Sequence, residues 1–355
     1  MADICLSCND IVRTFPDFRL SFSFSVREGE LLSIIGPSGS GKSTVLRIIC
    51  GLEKNDSGTV QIMGTDVTAL PTERRRTAIV YSDDTLFPHM TVEQNIAYPM
   101  KNRHMSKEEA TAEVRRLLET VNLSGHEKKR PSELSETEKL KAAIARALAS
   151  NPDVLLLDQV LSSLDYSLRF ALAGEIGKIQ RKAGVTTIFV TDSPQEAMSI
   201  SDRLIVMNNG KIEQNGTPEE VYRKPCSEFC ARFTGECNIL PYDVILKTLR
   251  VPETERSKVI YQCFGPEHRI LFRPEDMVVN DMPGLPFPEF YPHLRFEDAR
   301  IIRTEYLGKE YLVTASYDDL TIKVYTVYKP ASETITAGIR MTKILEFNDG
   351  KLIRH

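Results

Sequence analysis

A glycine-rich stretch, GPSGSGKST at residues 36–44, matches the pattern G-x-x-x-x-G-K-[ST]. Glycines allow such a loop to curl so that its backbone N–H groups face the phosphates of a nucleotide. A lysine adds a cation, a hydroxyl can bind Mg²⁺, and the N-terminus of a following helix adds a favourable dipole. The predicted phosphate-binding positions are Gly36, Ser38, Gly39, Ser40, Gly41, Lys42, Ser43 and Thr44. The stretch therefore predicts a site for a nucleoside triphosphate with magnesium, and leaves open whether the phosphate is cleaved.

Two further residues that could take part in chemistry lie at the end of the apolar run VLLLD, where Asp158 is followed by Gln159. A carboxylate at the end of a buried strand is suited to magnesium, so Ser43 and Asp158 are the predicted metal ligands. Gln159 stands where a base is expected. Because an amide can hydrogen-bond a water but cannot accept its proton at neutral pH, Gln159 is a candidate only for positioning the attacking water.

The secondary structure that positions these residues can be predicted from the spacing of apolar residues. Residues 29–36 form a short apolar strand directly before the glycine-rich stretch, and helical spacing follows at 42–52. An amphipathic helix is predicted at 107–121, and further buried strands at 154–158 and 186–191. Strands that alternate with helices indicate an α/β fold with a largely parallel sheet.

The pattern changes near residue 236, where short alternating segments separated by turn residues begin. This pattern indicates an all-β module that forms a small OB-like barrel. A Pro-rich loop is predicted within it at residues 281–294. We therefore predict an α/β P-loop nucleotide-binding domain at residues 1–235, with a helical subdomain at about 84–150. A C-terminal β-barrel domain for dimerisation or regulation is predicted at 236–355.

Composition excludes several classes of protein. The 355 residues carry a net charge of −4, which offers no electrostatic argument for a nucleic-acid partner. The arginine triplet at residues 74–76 is interpreted as a solvated face. No apolar run approaches the roughly 18 residues of a membrane span, and the start MADICLSCND predicts no signal peptide. Seven cysteines without a framework pattern suggest a reducing compartment.

Further motifs lie on both sides of the predicted domain boundary. LFPHMTVEQNIAYPM occupies residues 86–100, IARALASNPDVLLLD leads to Asp158, and LSSLD ends at Asp165. DRLIVMNNGKIEQNGTPEEVY, GECNIL, FRPED and YLGKEYLV follow. With these motifs the chain resembles, over nearly its whole length, the ATP-binding subunits of ABC importers for maltose, ferric iron, sulfate and polyamines.

The resemblance implies ATP and Mg²⁺ as cofactors and a location at the cytoplasmic face of the inner membrane. In that family two ATP-binding subunits sit head to tail under integral membrane permease subunits, and a solute-binding protein is an indirect partner. Each ATP lies between the phosphate loop of one subunit and the signature motif of the other. The second subunit would be either a copy of this chain or an unaltered homologue.

The signature departs from the family's LSGGQ and reads LSETE at residues 134–138. In the family the glycines let backbone N–H groups approach the γ-phosphate across the dimer. Glu136 and Thr137 bring side-chain bulk there, and Glu136 also brings negative charge. Ser135 and Glu138 have the spacing of a capping box that begins a helix. The resemblance therefore implies a preserved helix start with an altered phosphate-sensing surface.

At other positions, too, the chain replaces residues that sense or cleave ATP in the family. Ser82 replaces the Q-loop glutamine, Asp192 replaces the H-loop histidine, and Gln159 replaces the glutamate after the Walker B aspartate. Asp192 is expected to repel the γ-phosphate, while Ser193 and the residues after it make a good helix start. Val160 replaces a proline and is interpreted as a packing change.

An aromatic residue is also expected near the base. Phe15 lies where the family places a ring that stacks on adenine, and Phe18 could serve instead. A role in core packing is the alternative for either ring.

We expect an ATP-binding subunit of an ABC importer that binds Mg·ATP but hydrolyses it weakly or not at all. Whether the chain is an enzyme stays open, because loss of a general base typically slows a reaction by about 10² to 10⁴. One alternative is a working ATPase in which Gln159 orients water, as glutamine does in some phosphoryl-transfer enzymes. An alternative from another class is a nucleotide-gated regulatory or scaffold protein.

Overall fold

The computed structural model describes residues 3–82, 86–103, 105–241, 268–280, 293–318 and 320–354. The chain divides into two compact units, Met1–Val221 and Tyr222–His355. The boundary predicted between residues 235 and 236 falls inside the second unit.

The first unit contains one large sheet and the helices that cover it. Its strands are β1 (Ile4–Phe15), β2 (Phe18–Arg27), β3 (Leu31–Ile35), β4 (Ser57–Ile62), β5 (Thr65–Asp66), β6 (Thr77–Tyr81), β7 (Val154–Asp158), β8 (Thr186–Thr191), β9 (Arg203–Asn208) and β10 (Lys211–Gly216). Its helices are α1 (Lys42–Cys50), α2 (Val92–Ala97), α3 (Lys107–Thr120), α4 (Glu136–Ala149), α5 (Tyr166–Ala183) and α6 (Pro194–Ile200). Helix α7 (Pro218–Arg223) contains the boundary between the units.

The sheet is mixed, with the strand order β5-β4-β1-β2-β10-β9-β3-β8-β7-β6. Strands β9, β3, β8, β7 and β6 are parallel neighbours, while β1, β4 and β5 extend the sheet through antiparallel pairs. Parallel order brings the carboxyl ends of β3, β7 and β8 to one edge. The predicted α/β class is confirmed, and this edge is where the glycine-rich loop and Asp158 lie.

Both faces of the parallel strands are buried. Along β7, Leu155 and Leu157 enter the cluster that includes helices α3 and α4, while Leu156 enters the cluster that includes α1. Successive residues of a strand point to opposite faces, so continuous apolar runs are needed where helices cover both. This explains why every residue of VLLLD and of TTIFVT is buried, including the three threonines of TTIFVT.

Arg75 corrects the interpretation of residues 74–76 as a solvated face. Its side chain is only 5% exposed, because the guanidinium donates to carbonyl oxygens of Ile48, Ile49, Thr68 and Leu70 at 2.7 to 3.1 Å. Two of those carbonyls lie at the end of α1, where a cation also complements the helix dipole. Arg75 therefore anchors the far end of the helix that follows the glycine-rich loop.

The second unit is rich in β-structure. It contains α8 (Glu228–Thr234), β11 (Asn238–Pro241), β12 (His268–Phe272), β13 (Met277–Asn280), β14 (His293–Tyr306), β15 (Tyr311–Tyr317), β16 (Leu320–Thr326), β17 (Thr334–Arg340), β18 (Leu345–Asn348) and β19 (Lys351–Arg354). Two antiparallel sheets have the orders β11-β12-β18-β19 and β13-β17-β14-β15-β16. This β-rich C-terminal region is as predicted and is consistent with a small OB-like barrel.

The predicted Pro-rich loop at 281–294 lies outside the described residues up to 292, and its last two residues begin β14. Among the described helices, none combines the length and the apolar character that a membrane crossing requires.

Candidate nucleotide site

The glycine-rich loop runs from the end of β3 to the start of α1, as the sequence predicts. Gly41 has a φ of 101°, a left-handed conformation that favours glycine, and it caps the start of α1. At Gly36 a Cβ atom would lie 2.3 Å from the carbonyl oxygen of Met207, so only glycine fits against that strand. Glycine at these two positions lets the loop turn sharply and enter the helix.

Lys42 begins α1 and is almost fully buried. Its Nζ donates to the carbonyl oxygens of Gly36 and Pro37, each at 2.8 Å. Its third partner is the Oδ1 atom of Asp192, at 2.6 Å. The Lys42 side chain is 3% exposed, whereas that of Asp192 is 51% exposed. The lysine is therefore held in place by the loop and neutralised by a carboxylate from the end of β8.

Ser43 and Asp158, the two predicted metal ligands, lie in contact. The Ser43 hydroxyl donates to Asp158 Oδ1 at 2.8 Å. Burial raises the pKa of the Asp158 carboxyl, while the Ser43 hydrogen bond and the Lys42 charge oppose that rise. A cation beside the carboxylate would favour its ionised form in the same way.

Gln159 lies directly after β7 with a φ of 50°, and its backbone N–H donates to the carbonyl oxygen of Val190. Its Nε2 atom is 3.5 Å from Asp192 Oδ1. The positions that the resemblance assigns to the catalytic glutamate and the H-loop histidine are thus occupied by an amide and a carboxylate in mutual contact. The sequence singles out both residues, but it does not predict the pairing of Asp192 with Lys42.

The arrangement fits a magnesium nucleotide. The buried hydroxyl of Ser40 has no hydrogen-bond partner among the described residues, and no side chain caps the first turn of α1. Uncapped N–H groups at a helix start bind phosphate readily. A cavity of about 300 Å³ opens over the loop and is lined by Phe15, Phe18, Gly39, Gly41, Lys42, Ser43, Thr44 and Gln159. The loop and the start of α1 would hold the phosphates, and the hydroxyl–carboxylate pair of Ser43 and Asp158 would hold Mg²⁺.

Both aromatic candidates for the base lie at this cavity. Phe15 ends β1 and Phe18 begins β2, with ring centroids 6.2 Å apart. The Arg13 guanidinium lies 5.0 Å from the centre of the Phe15 ring. The Phe18 ring packs beside Gly41, where an added Cβ would come within 3.0 Å of it. This leaves Phe15 the ring better placed to stack on a base.

The signature residues begin helix α4. Ser135 is its N-cap, with Glu138 N–H donating to Ser135 Oγ at 3.3 Å and Ser135 N–H donating to Glu138 Oε2 at 2.8 Å. His126 Nε2 contacts the other carboxylate oxygen of Glu138 at 2.9 Å. Glu136 is exposed and pairs with Lys139 at 2.7 Å, and Thr137 Oγ1 is 3.1 Å from Ser135 Oγ. The predicted capping box is confirmed.

The capping box predicts a pH-dependent contribution to stability. The Ser135 backbone and side-chain hydrogen bonds, with His126 adding to them, lower the pKa of Glu138 from 4.5 to about 2. A depressed folded-state pKa stabilises the fold above the unfolded pKa, and the effect is lost as pH falls towards 2. Glu138→Gln should therefore lower the urea midpoint at pH 7 by an amount equivalent to about 0.5 kcal/mol. The difference should shrink between pH 4.5 and pH 3.

The matched control for that prediction is Ser135→Ala. Without the Ser135 hydroxyl, adding Glu138→Gln should have a smaller effect at pH 7, as a double-mutant cycle would show. Equal effects of Glu138→Gln at pH 7 and pH 3 would contradict the role given to the carboxylate.

Ser82 and Glu136 lie at a different cavity from the glycine-rich loop. This second cavity, of about 470 Å³, is also lined by Val160 and by Ser163 of the LSSLD segment. Ser82 is exposed just after β6, and Asp83 beside it lies outside the described residues. Val160 is 2% exposed and belongs to the apolar cluster, as expected for a packing residue. A single subunit therefore does not bring its signature to its own phosphate loop.

The residues after Asp192 build a helix start, as predicted. Ser193 is the N-cap of α6, and Glu196 N–H donates to its hydroxyl at 3.3 Å. The buried Thr191 hydroxyl donates to the Glu196 carboxylate at 2.6 Å. These contacts fix the end of β8 and so the position from which Asp192 reaches Lys42.

Comparison with known proteins gives consistent matches. Residues 20–162 match the family model described as "ABC transporter". The spermidine/putrescine import ATP-binding protein PotA of Aliivibrio fischeri is 42% identical over 270 residues, covering 74% of this chain and 73% of that protein. The protein of the same name from Hahella chejuensis is 43% identical over 291 residues, covering 79% and 80%.

A solved structure extends the likeness to the fold. An ATP-binding cassette of an ABC transporter in its ADP conformation superposes with a TM-score of 0.55 and 26% sequence identity. The match covers 62% of this chain and 96% of that one.

Proposed function

The chain belongs to the ATP-binding proteins of the ABC transporter family, and on that basis we propose that it is an importer subunit with weak or absent ATP hydrolysis. Proteins of this family bind ATP with Mg²⁺. The relatives described above are named for the import of spermidine and putrescine, and we extend an import role to this chain. What is proposed beyond the family is the fate of the bound nucleotide.

The contact between Asp192 and Lys42 carries the proposal. A nucleotide-cleaving site needs a base or a positioned water at the terminal phosphate and a cation free to stabilise the developing charge. Here Gln159 cannot accept a proton, and the Lys42 ammonium is neutralised by a carboxylate at 2.6 Å. The groups that would hold a nucleotide remain: the loop, the start of α1, Ser43 and Asp158.

The altered signature bears on the partner subunit. In the head-to-tail arrangement of the family, Glu136 and Thr137 would face the nucleotide of the second subunit. Glu136 is exposed at the start of α4 and pairs with Lys139 of the same helix at 2.7 Å. A homodimer would then combine two sites that lack both the cleaving residues and an unaltered signature. A heterodimer with an unaltered homologue would keep the homologue's own cleaving residues at one site, which would be weakened by the altered signature that it receives. We therefore propose the heterodimer, below a membrane permease at the cytoplasmic face.

The test is a steady-state ATPase assay on the purified full-length chain, with Lys42→Ala as the control. The expected result is a rate of phosphate release that the control does not lower further. Turnover at ordinary transporter rates that Lys42→Ala abolishes would instead establish a working ATPase with Gln159 orienting the water. Copurification with a permease of many membrane spans separates a transporter subunit from a regulatory protein of another class.

A further inference from the structure

We propose that Asp192 acts as a built-in substitute for a terminal phosphate, so that this site prefers a nucleoside diphosphate to a triphosphate. The inference rests on the proposed nucleotide-binding function and adds a ligand preference to it. Asp192 is thereby a specificity-determining residue for the nucleotide.

The first support is the hydrogen-bonding capacity of Lys42. An ammonium group has three donors. Two are used by the carbonyl oxygens of Gly36 and Pro37 within the loop, and the third by Asp192 Oδ1. A γ-phosphate that contacts this lysine must take the place of the carboxylate.

The second support is that different parts of a P-loop bind different phosphates. Backbone N–H groups of the loop cradle the α- and β-phosphates, whereas the lysine reaches the β- and γ-phosphates. A diphosphate can use the loop and the uncapped first turn of α1 while the Lys42–Asp192 pair stays closed. A triphosphate has to open that pair.

The third support is the charge around the pair. Asp192 and Asp158 both lie at the start of α1: Asp192 Oδ1 is 2.6 Å from Lys42 Nζ, and Asp158 Oδ1 accepts a hydrogen bond from the Ser43 hydroxyl at 2.8 Å. A γ-phosphate would bring more negative charge beside both carboxylates, at a separation where like charges repel strongly. Mg²⁺ held by Ser43 and Asp158 would offset part of that repulsion, because it would bring positive charge beside the phosphates.

Asp192 can be displaced, which makes the effect a preference and not a block. Half of its side chain is exposed. Within the part of the chain that the structure describes, its only other side-chain hydrogen bond is with Gln159 Nε2 at 3.5 Å, which is the upper limit of a hydrogen bond. A triphosphate at high concentration would therefore still bind.

The experiment is isothermal titration calorimetry of the full-length chain with Mg·ADP and with the non-hydrolysable analogue Mg·AMP-PNP. We expect ADP to bind about tenfold more tightly or better, and Asp192→Asn to reduce that ratio by about tenfold. The matched control is Asp276→Asn, which removes the carboxylate of another aspartate–lysine pair, 3.1 Å from Lys343 in the second unit. This control should leave the ratio unchanged.

A ratio near one in the unaltered chain, or a ratio that Asp192→Asn leaves unchanged, would overturn the proposal. Failure to bind either nucleotide would instead overturn the proposed function. Phosphate release by the unaltered chain would refute weak hydrolysis while leaving the ligand preference standing.

Discussion

Substituting alanine for Lys42 is expected to weaken binding of Mg·ATP by about 100-fold, or ~2.7 kcal/mol, and binding of Mg·ADP by less, because the Lys42–Asp192 pair stays closed beside a diphosphate. Charge-assisted hydrogen bonds to phosphate are among the strongest single contacts in proteins. The loss of the ammonium also leaves the Asp192 carboxylate without its partner at 2.6 Å, beside the phosphates. Both effects weaken the binding of the nucleotide. The measurement is the Kd of each nucleotide by calorimetry.

The control for this prediction is Lys343→Ala, which removes a partly exposed lysine that pairs with Asp276. Circular dichroism and the unfolding midpoint should show that both variants keep their fold. A Kd for Mg·ATP that Lys42→Ala leaves unchanged would show that the nucleotide is held elsewhere.

Placing a carboxylate base at position 159 and a histidine at position 192 should create ATPase activity. Gln159→Glu combined with Asp192→His is expected to raise the rate of phosphate release by about 10². The first change supplies a proton acceptor, and the second frees the Lys42 ammonium. The gain stays at the lower end of the range for general-base catalysis, because the signature at Glu136 and Thr137 remains altered. Each single variant should gain less than the pair, since both act on one transition state.

The measurement is steady-state phosphate release by the double variant. Adding Lys42→Ala to it should remove the gain, which ties the new activity to this site. A double variant that binds Mg·ATP but releases phosphate no faster than the unaltered chain would place the defect elsewhere, with the signature as the first position to examine.

Local features of the site could be predicted from the sequence because they depend on residues close together in the chain. The apolar strand before Gly36 and the helical spacing after Lys42 place the loop at a strand-to-helix turn. Ser135 and Glu138, three residues apart, suffice to predict a capping box. The place of Asp158 at the end of an apolar strand can be predicted for the same reason.

The Lys42–Asp192 pair could not be predicted, because it depends on the order of strands in the sheet. β3 precedes the loop and β8 precedes Asp192, and the two strands are parallel neighbours with Ile35 opposite Thr191. In the sequence they are separated by β4, β5, β6 and β7. Alternation of strands and helices indicates a parallel sheet but does not state which strands are adjacent.

Arg75 shows a second limit. Three consecutive arginines are typical of a solvated surface, yet the middle one is buried because four carbonyl oxygens surround it. Buried arginines need a full set of acceptors. Those acceptors come from residues up to 27 positions away, so only the fold shows them.

The most direct test of the account is a single-turnover experiment with the full-length chain in excess over γ-labelled Mg·ATP. The protein-bound fraction is separated and quenched at successive times, and intact ATP is measured against released phosphate. The account predicts that bound ATP is recovered intact over times in which the Gln159→Glu, Asp192→His variant cleaves it. Cleavage of bound ATP by the unaltered chain as fast as by that variant would contradict it.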